Sequence, residues 1–553
     1  MASTNSKDLT AHRLGGQPLV GNSGGGRGQG LSELRRGPSS RRAAVALAAL
    51  ALGALVGLAP LPGIAPAAHA EGKRGLVSRV VRALTVRPKN VDARTAAALI
   101  QPGDRVIVPV GQVTPLALLS ALAERAATPG SGFSAERPVK LVCMTNYAPS
   151  ALFDAEGRIQ PYSLFIGPNS RASLAQGLGD FIPVMFSRIP GMIREGTIPS
   201  DVAVLEVSPP DRLGFVTLGP TAGFTQAALE KSRLVIAQVN RHLPVTHGKT
   251  RVHVSQLDYL VRADEEMPAP HAAEMTGLDR QIAGHIFSLV LSKQPAPAKT
   301  ALGRLVERAK RKLGLGPMPS FQFGIGAIPD AVAQMAAEAA GLEACRIRTE
   351  LIGPGTQKLV ESGKVRGKVR YTFGMGDAAF LRWVHQNKKL DARPVDELND
   401  PARISRIDHV VAINSALKVD LLGQISAHRV DGTWYSGVGG QLDFMRGALH
   451  SKGGMGIIAL RSTAMVRDGQ GGRKRESKIV VSLNEGDAVT STMHDVKYVV
   501  TEHGVAALDG KSAVERARAL IAVAHPDFRA ELTASLEAQL ARSREKAATR
   551  AAH

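Results

Sequence analysis

Short apolar runs rich in β-branched residues recur along the first half of this chain, and stretches of helical pattern separate several of them. The runs are DRVIVPVG (Asp104 to Gly111), KLVCMT, FIPVMF (Phe181 to Phe186), VAVLEVS (Val202 to Ser208) and LVIAQVN (Leu234 to Asn240). A strand buried on both faces reads as a continuous apolar run, and helical crossovers between such strands leave them parallel. The pattern therefore constrains the fold to α/β, with a largely parallel sheet covered on both sides. TPLALLSALAERAA opens as one of the helices, with Thr114 suited to the N-cap and Pro115 to the first helical position.

At 553 residues the chain is long enough for two domains with sizeable cores. Its net charge of +21 admits attraction to a polyanion, whether nucleic acid, a membrane surface or a phosphate-rich cofactor, and equally an arginine-rich solvated surface. Only two tryptophans are present, so no stacking surface for single-stranded nucleic acid stands out, and nucleic acid is not an expected partner. The two cysteines, Cys143 and Cys345, have no metal spacing and make no disulfide framework, although pairing between them stays open. His247, His253, His450, His494, His503 and His525 never form an H-x-x-x-H pair, so no metal site is expected.

Residues 1 to about 42 are rich in Gly, Ser and Arg with no apolar period, which reads as disorder. The apolar run Ala43 to Ala70 follows Arg35, Arg36, Arg41 and Arg42 and ends in Ala68-His69-Ala70. This is the layout of an export signal. A membrane anchor through residues 43–70 and an organelle transit peptide fit the same residues. Localisation is left between these readings. Beyond Ala70 no long uncharged apolar run occurs.

Two glycine loops carry the chemistry. SGVGGQLDFMRGALHSKGG (Ser436 to Gly454) brings the bare backbone of Gly437, Gly439 and Gly440 to a turn, with Asp443, Arg446 and Lys452 after it, and GIIAL (Gly456 to Leu460) then reads as a buried strand. FQFGIGAIPDAVAQM (Phe321 to Met335) reads as strand, turn and helix, with Gly324, Ile325 and Gly326 at the turn, a layout that presents N–H groups to an anion or oxyanion.

Taken as whole strings, these loops resemble the acetyl-CoA hydrolase/CoA-transferase family. So do LFIGPNSRASLAQG (Leu164 to Gly177), SPPDRLGFVTLG (Ser208 to Gly219), HLPVTHGKTRVHVSQLDYLV (His242 to Val261), RTELIGPGTQKLVESG (Arg348 to Gly363) and the Leu398 to Ile425 segment, all in the family's order. The resemblance runs from Leu76 to Leu540. It implies two tandem open α/β domains of the CoA-transferase type, over residues 76–291 and 321–540, with the active site in the interdomain cleft. The basic, Pro- and Gly-interrupted stretch Ser292 to Ser320 reads as the linker, with a helix near Thr300 to Leu313.

The implied reaction moves CoA between a short-chain acyl-CoA and a small carboxylate through a glutamyl-CoA thioester, in a homodimer. CoA and acyl-CoA are then substrates, and no permanently bound cofactor is implied. The resemblance places the nucleophile at Glu350 and the oxyanion donors at the Gly440 N–H and the Asn399 side chain. It puts Gly324, Ile325, Gly326, Gly437, Gly439 and Gly440 around the bound CoA ester, with Arg446 and Lys452 as candidates near the CoA phosphates. Two positions depart from the family: Gly353-Pro354-Gly355 stands where S-D-G or Q-D-G is usual, and Gln238 where Glu is usual. Hydrolysis of the acyl-CoA by the same glutamate stays open, as does a non-catalytic CoA- or anion-binding role. The absence of a G-x-S-x-G elbow and of a P-loop disfavours a serine thioesterase and an ATP-driven ligase.

Overall fold

A computed structural model describes residues 87–552, apart from 149–151, 154–155, 271–274, 294–298, 313–316 and 468–470. The apolar runs form the expected strands β2 (Arg105–Ile107), β3 (Val139–Cys143), β5 (Asp180–Phe181), β6 (Val202–Val207) and β7 (Leu234–Val239), and three strands that the runs did not announce join them: β1 (Lys89–Val91), β4 (Ile159–Ser163) and β8 (Tyr259–Arg262). They pair in the order β1-β8-β7-β6-β2-β3-β4-β5, every pair parallel. Successive side chains alternate between two cores. Val106, Leu141, Val204 and Ile236 enter one, and Ile107, Val142, Leu205 and Ala237 enter the other.

A second sheet is built from β9 (Ser320–Phe323), β10 (Arg346–Ile347), β11 (Val410–Ser415), β12 (Met455–Ala459), β13 (Tyr498–Thr501) and β14 (Gly504–Ala507), in the order β10-β9-β11-β12-β13-β14. Only the last pair is antiparallel. The expected strand at Gly456 to Leu460 is β12. Its Ile457 and Ile458 face opposite cores.

Among the helices are α1 (Leu116–Ala127), α2 (Gly277–Ser292), α3 (Ala301–Lys312), α4 (Ala327–Glu338), α5 (Pro354–Glu361) and α6 (Gln441–His450). Helix α3 is the helix expected near Thr300 to Leu313; its Leu302 and Leu305 are exposed.

Three local expectations change. FIPVMF gives only the two-residue edge strand β5. Pro183 cannot donate to a ladder, and the chain leaves the sheet so that Met185 bridges Gly439 and Phe186–Arg188 form a 3-10 turn. At α1 the N-cap is Pro115, and Thr114 instead donates its hydroxyl to the Gly111 carbonyl at 3.0 Å. The free N–H groups of α1 go to side chains from afar: Ala117 donates to Glu265 and Leu118 to Gln238. The two cysteines are free and buried, and burial pushes both thiols up to about 12.

The expectation of membrane association is corrected. Among the described residues no helix is long and apolar enough to cross a membrane. Residues 43–70, on which the anchor and the localisation readings rested, lie outside the described residues.

Candidate active site

The site starts from a strand that ends early. Strand β10 stops at Ile347, and the Thr349 hydroxyl continues its pairing. It donates to the Phe323 carbonyl at 2.9 Å and accepts from the Phe323 N–H at 3.0 Å. The next residue is Glu350, whose carbonyl accepts from the N–H groups of Thr372 and Phe373. The backbone of Glu350 is thus held on both sides, while its side chain enters a cavity of about 290 Å³.

That cavity opens at the carboxyl ends of β9 and β11, through Gln322 to Gly324 and Asn414 to Ser415. In open α/β sheets this is where ligands bind, because the strands stop there and the loops diverge. Gln322 and Asn414 hydrogen-bond each other with both amide ends, which closes the floor. Phe165, Ile325, Tyr435 and Val438 supply apolar wall, and Arg171, stacked at 4.2 Å over the Tyr435 ring, is the one cation among the lining residues.

Glu350 is buried, and it meets two donors. Asn399 Nδ2 lies 2.9 Å from Oε2, and the Gly440 N–H also donates to the carboxylate. Gly440 can only be glycine here. A Cβ would collide with Glu350 Oε2 and Asn399 Nδ2. Gly439 before it takes φ +55°, the left-handed turn that aims the Gly440 N–H at the carboxylate. Gly440 is also the N-cap of α6, so the carboxylate faces the positive end of a helix. Burial is nevertheless the larger influence, and with the Asp443 carboxylate nearby it pushes Glu350 up to about 8.

The backbone leading into Asn399 is fixed by Arg348, two residues before Glu350. Its guanidinium donates to the carbonyls of Glu397 (2.7 Å) and Leu398 (2.9 Å), the end of a short helix Val395–Leu398 that Asn399 caps. Asn399 itself is fully buried, and its Oδ1 has no hydrogen-bond partner. On α6, Asp443 accepts from both the hydroxyl (2.7 Å) and the N–H (3.1 Å) of Ser187. Phe186 N–H donates to the Gly439 carbonyl at 3.0 Å, so residues 185–187 pin the glycine loop from the first sheet's side.

The structure brings Glu350, Asn399, Gly437, Gly439, Gly440, Gly324 and Ile325 to one place. Gly326 stands one step away, as the N-cap of α4 with φ +132°, and is not among the cavity's lining residues. Arg446 pairs with Asp495 at 3.2 Å, and neither it nor Lys452 lines the cavity. Both departures also fall outside it. Gly353 caps α5 with Pro354 at its first position, and a Cβ on Gly355 would press on Asp330 of α4. Gln238 serves the N-terminus of α1 and donates to Glu265 at 2.8 Å. Arg348 was not picked out from RTEL; the one signal there is that alternate residues of an extended segment share a face. The contacts of Ser187 and of Asn414 were not legible either, because each partner lies far away in the chain.

Comparison with known proteins identifies the family. The model of the acetyl-CoA hydrolase/transferase N-terminal domain matches residues 78–272, and that of the C-terminal domain matches residues 376–536. The chain is 36% identical to a 4-hydroxybutyrate coenzyme A transferase of Clostridium kluyveri, over 67% of this chain and 80% of that protein. It is 33% identical to a succinyl-CoA:cyclohexane-1-carboxylate CoA transferase of Geobacter metallireducens, over 79% of this chain and 92% of the relative. Among solved structures, RipA from Yersinia pestis superposes with a TM-score of 0.68 at 29% identity, covering 82% of this chain and 97% of that one.

Proposed function

This chain belongs to the acetyl-CoA hydrolase/transferase family, and from that premise we propose that it moves CoA between a short-chain acyl-CoA and a carboxylate with Glu350 as the carrier. The observation that carries this reading is the buried Glu350 carboxylate on the cavity wall, facing the Asn399 Nδ2 and the Gly440 N–H.

A carboxylate here performs a balanced exchange that needs no proton. Glu350 attacks the thioester carbonyl; the C–S bond breaks, leaving a mixed anhydride and the CoA thiolate. The thiolate attacks the glutamyl carbonyl and releases the first carboxylate, so CoA is now held as a glutamyl thioester. The acceptor carboxylate attacks that thioester to form a new anhydride, and the freed thiolate attacks its acyl carbonyl. New acyl-CoA leaves and Glu350 is again a carboxylate. Each tetrahedral intermediate places negative charge on an oxygen, and donors already in position stabilise it without reorganising. The burial of Glu350 keeps water from the activated carbonyl, which favours transfer over hydrolysis.

Intact-protein mass after exposure to acetyl-CoA tests the carrier: a CoA-mass adduct is expected on the wild type and none on Glu350→Gln. Acyl-CoA consumption is expected to depend strongly on an added carboxylate such as acetate or succinate. Equal consumption without one would make the protein a hydrolase. Binding of CoA with neither reaction would make it a CoA-binding relative.

A further inference from the structure

Apart from CoA and its esters, every reactant of the proposed exchange is a carboxylate. An anion that leaves water for a partly apolar cavity needs a fixed positive charge to offset its lost hydration. Of the residues that line the cavity, Glu350 is the one carboxylate and Arg171 the one cation. Among the described residues the two form no ion pair, and Glu350 takes its donors from Asn399 and Gly440 instead. The cation is therefore not there to neutralise the nucleophile at rest.

Arg171 begins the short helix Arg171–Ala175, and its segment is pressed onto the glycine loop: a Cβ on Gly437 would meet the Leu164 carbonyl and Phe165. The guanidinium is held in two ways. Nε donates to the Tyr435 carbonyl at 3.0 Å, and the flat face lies over the Tyr435 ring at 4.2 Å. Neither contact uses Nη1 or Nη2, and among the described residues these meet no acceptor. A guanidinium edge with two parallel N–H groups matches the two oxygens of a carboxylate. Each oxygen keeps a further lone pair when it accepts in this way, so a carboxylate docked there is still a nucleophile.

We propose that Arg171 is the receptor for the carboxylate substrate. The acceptor docks on the Nη edge, in the same cavity of about 290 Å³ that Glu350 enters, and from there attacks the glutamyl-CoA thioester. A C–O bond forms, the C–S bond breaks and CoA leaves as the thiolate, with no proton moved. The carboxylate released earlier, when the thiolate attacks the first anhydride, departs by the same edge, because the exchange is symmetric. A phosphate of CoA is the other anion that this edge could hold. With the CoA sulfur on Glu350, however, the phosphates lie at the far end of the pantetheine arm, whereas Arg171 lines the cavity of the glutamate itself. The inference rests on Glu350 being the CoA carrier, and deepens that reading by naming the group that recognises the second substrate.

The test uses the full chain, loaded with acetyl-CoA and freed of acetate by desalting, with loss of the CoA-mass adduct as the readout. Acetate and hydroxylamine, an uncharged nucleophile at neutral pH, discharge the adduct at the same carbonyl. For Arg171→Met we expect the second-order rate constant with acetate to fall about 10- to 100-fold, the loss of a hydrogen bond to a charged group, and that with hydroxylamine to stay within about two-fold. The Kd for CoA, read by calorimetry, is expected to stay within about two-fold as well. Arg171→Lys keeps the charge without the fork and should recover part of the acetate rate. Should Arg171→Met fail to fold, Arg171→Lys is compared with wild type by the same ratio of acetate to hydroxylamine rates, which is expected to fall. Equal losses with the two nucleophiles would show a structural role through Tyr435 and overturn the proposal. An unchanged acetate rate with a weakened Kd for CoA would place a CoA phosphate on Arg171 and overturn it too. Absence of a CoA adduct on wild-type Glu350 would overturn the carrier reading and this inference with it; an adduct whose discharge by acetate ignores Arg171 overturns this inference alone.

Discussion

With Glu350 as the proposed carrier, burial acts on it in two ways, and both follow from removing water. It would keep an activated carbonyl from hydrolysis, and it disfavours the charge that a nucleophilic carboxylate needs. The Asn399 and Gly440 donors offset part of the second effect but leave the carboxyl raised to about 8. The linkage has a definite sign. A carboxyl raised from 4.5 to about 8 on folding holds its proton more tightly in the folded state. The contribution of this group to stability is thus highest below 4.5, declines as pH rises toward 8, and is level above. Glu350→Gln removes this loss as well as the nucleophile. Its thermal midpoint is expected to match wild type near pH 4.5 and to exceed it increasingly up to pH 8, while turnover is abolished. A midpoint difference that does not change with pH would contradict the assignment.

Elements, more than single residues, set how sharply the site is held. The glycine loop is a turn fastened at one end to α6 and at the other to residues 185–187, where Met185 bridges Gly439. The strand read at FIPVMF is shortened for this purpose: an edge strand containing a proline can leave its ladder at little cost and bond elsewhere. A second fastening is Arg348 on the carboxyl end of the helix Val395–Leu398, where a cation meets unsatisfied carbonyls and the negative end of the helix dipole. Arg348→Met leaves both carbonyls without this donor. It is expected to cost about 1–3 kcal/mol in chemical denaturation and to lower kcat, because the Asn399 backbone loosens. Arg348→Lys should recover only part, since an ammonium lacks the planar fork that reaches two carbonyls. Full activity and stability in Arg348→Met would sink this role.

At the scale of the molecule, the first sheet and the catalytic segment share one interior. Phe373 and Val395 lie in the core formed by Ile107, Val142 and Leu205, and Gln112, fully buried after β2, donates to the Gly376 carbonyl at 2.8 Å and accepts its N–H at 3.1 Å. Gln112→Leu removes both partners of a buried peptide group. A loss of about 2–6 kcal/mol in unfolding free energy by chemical denaturation is expected, at about 1–3 kcal/mol for each of the two orphaned groups; a change under about 0.5 kcal/mol would mean that water or a shift in the loop replaces the bonds. This contact, joining residues 264 apart, marks where reading the chain stops. The apolar runs of the first half pointed by themselves to a largely parallel sheet, because a strand buried on both faces is apolar along most of its length. Glu350, Asn399 and Gly440 were picked out only through the resemblance of whole strings to the family, since a single Glu or Asn carries no local signal of its role. Which end of Asn399 faces the carboxylate, that Ser187 holds Asp443, and that Gln238 and Gly353-Pro354-Gly355 serve helix starts away from the cavity were decided only by tertiary structure. Hydrogen bonds and carboxyl charge depend on distances of a few ångströms between groups that sequence separation does not encode.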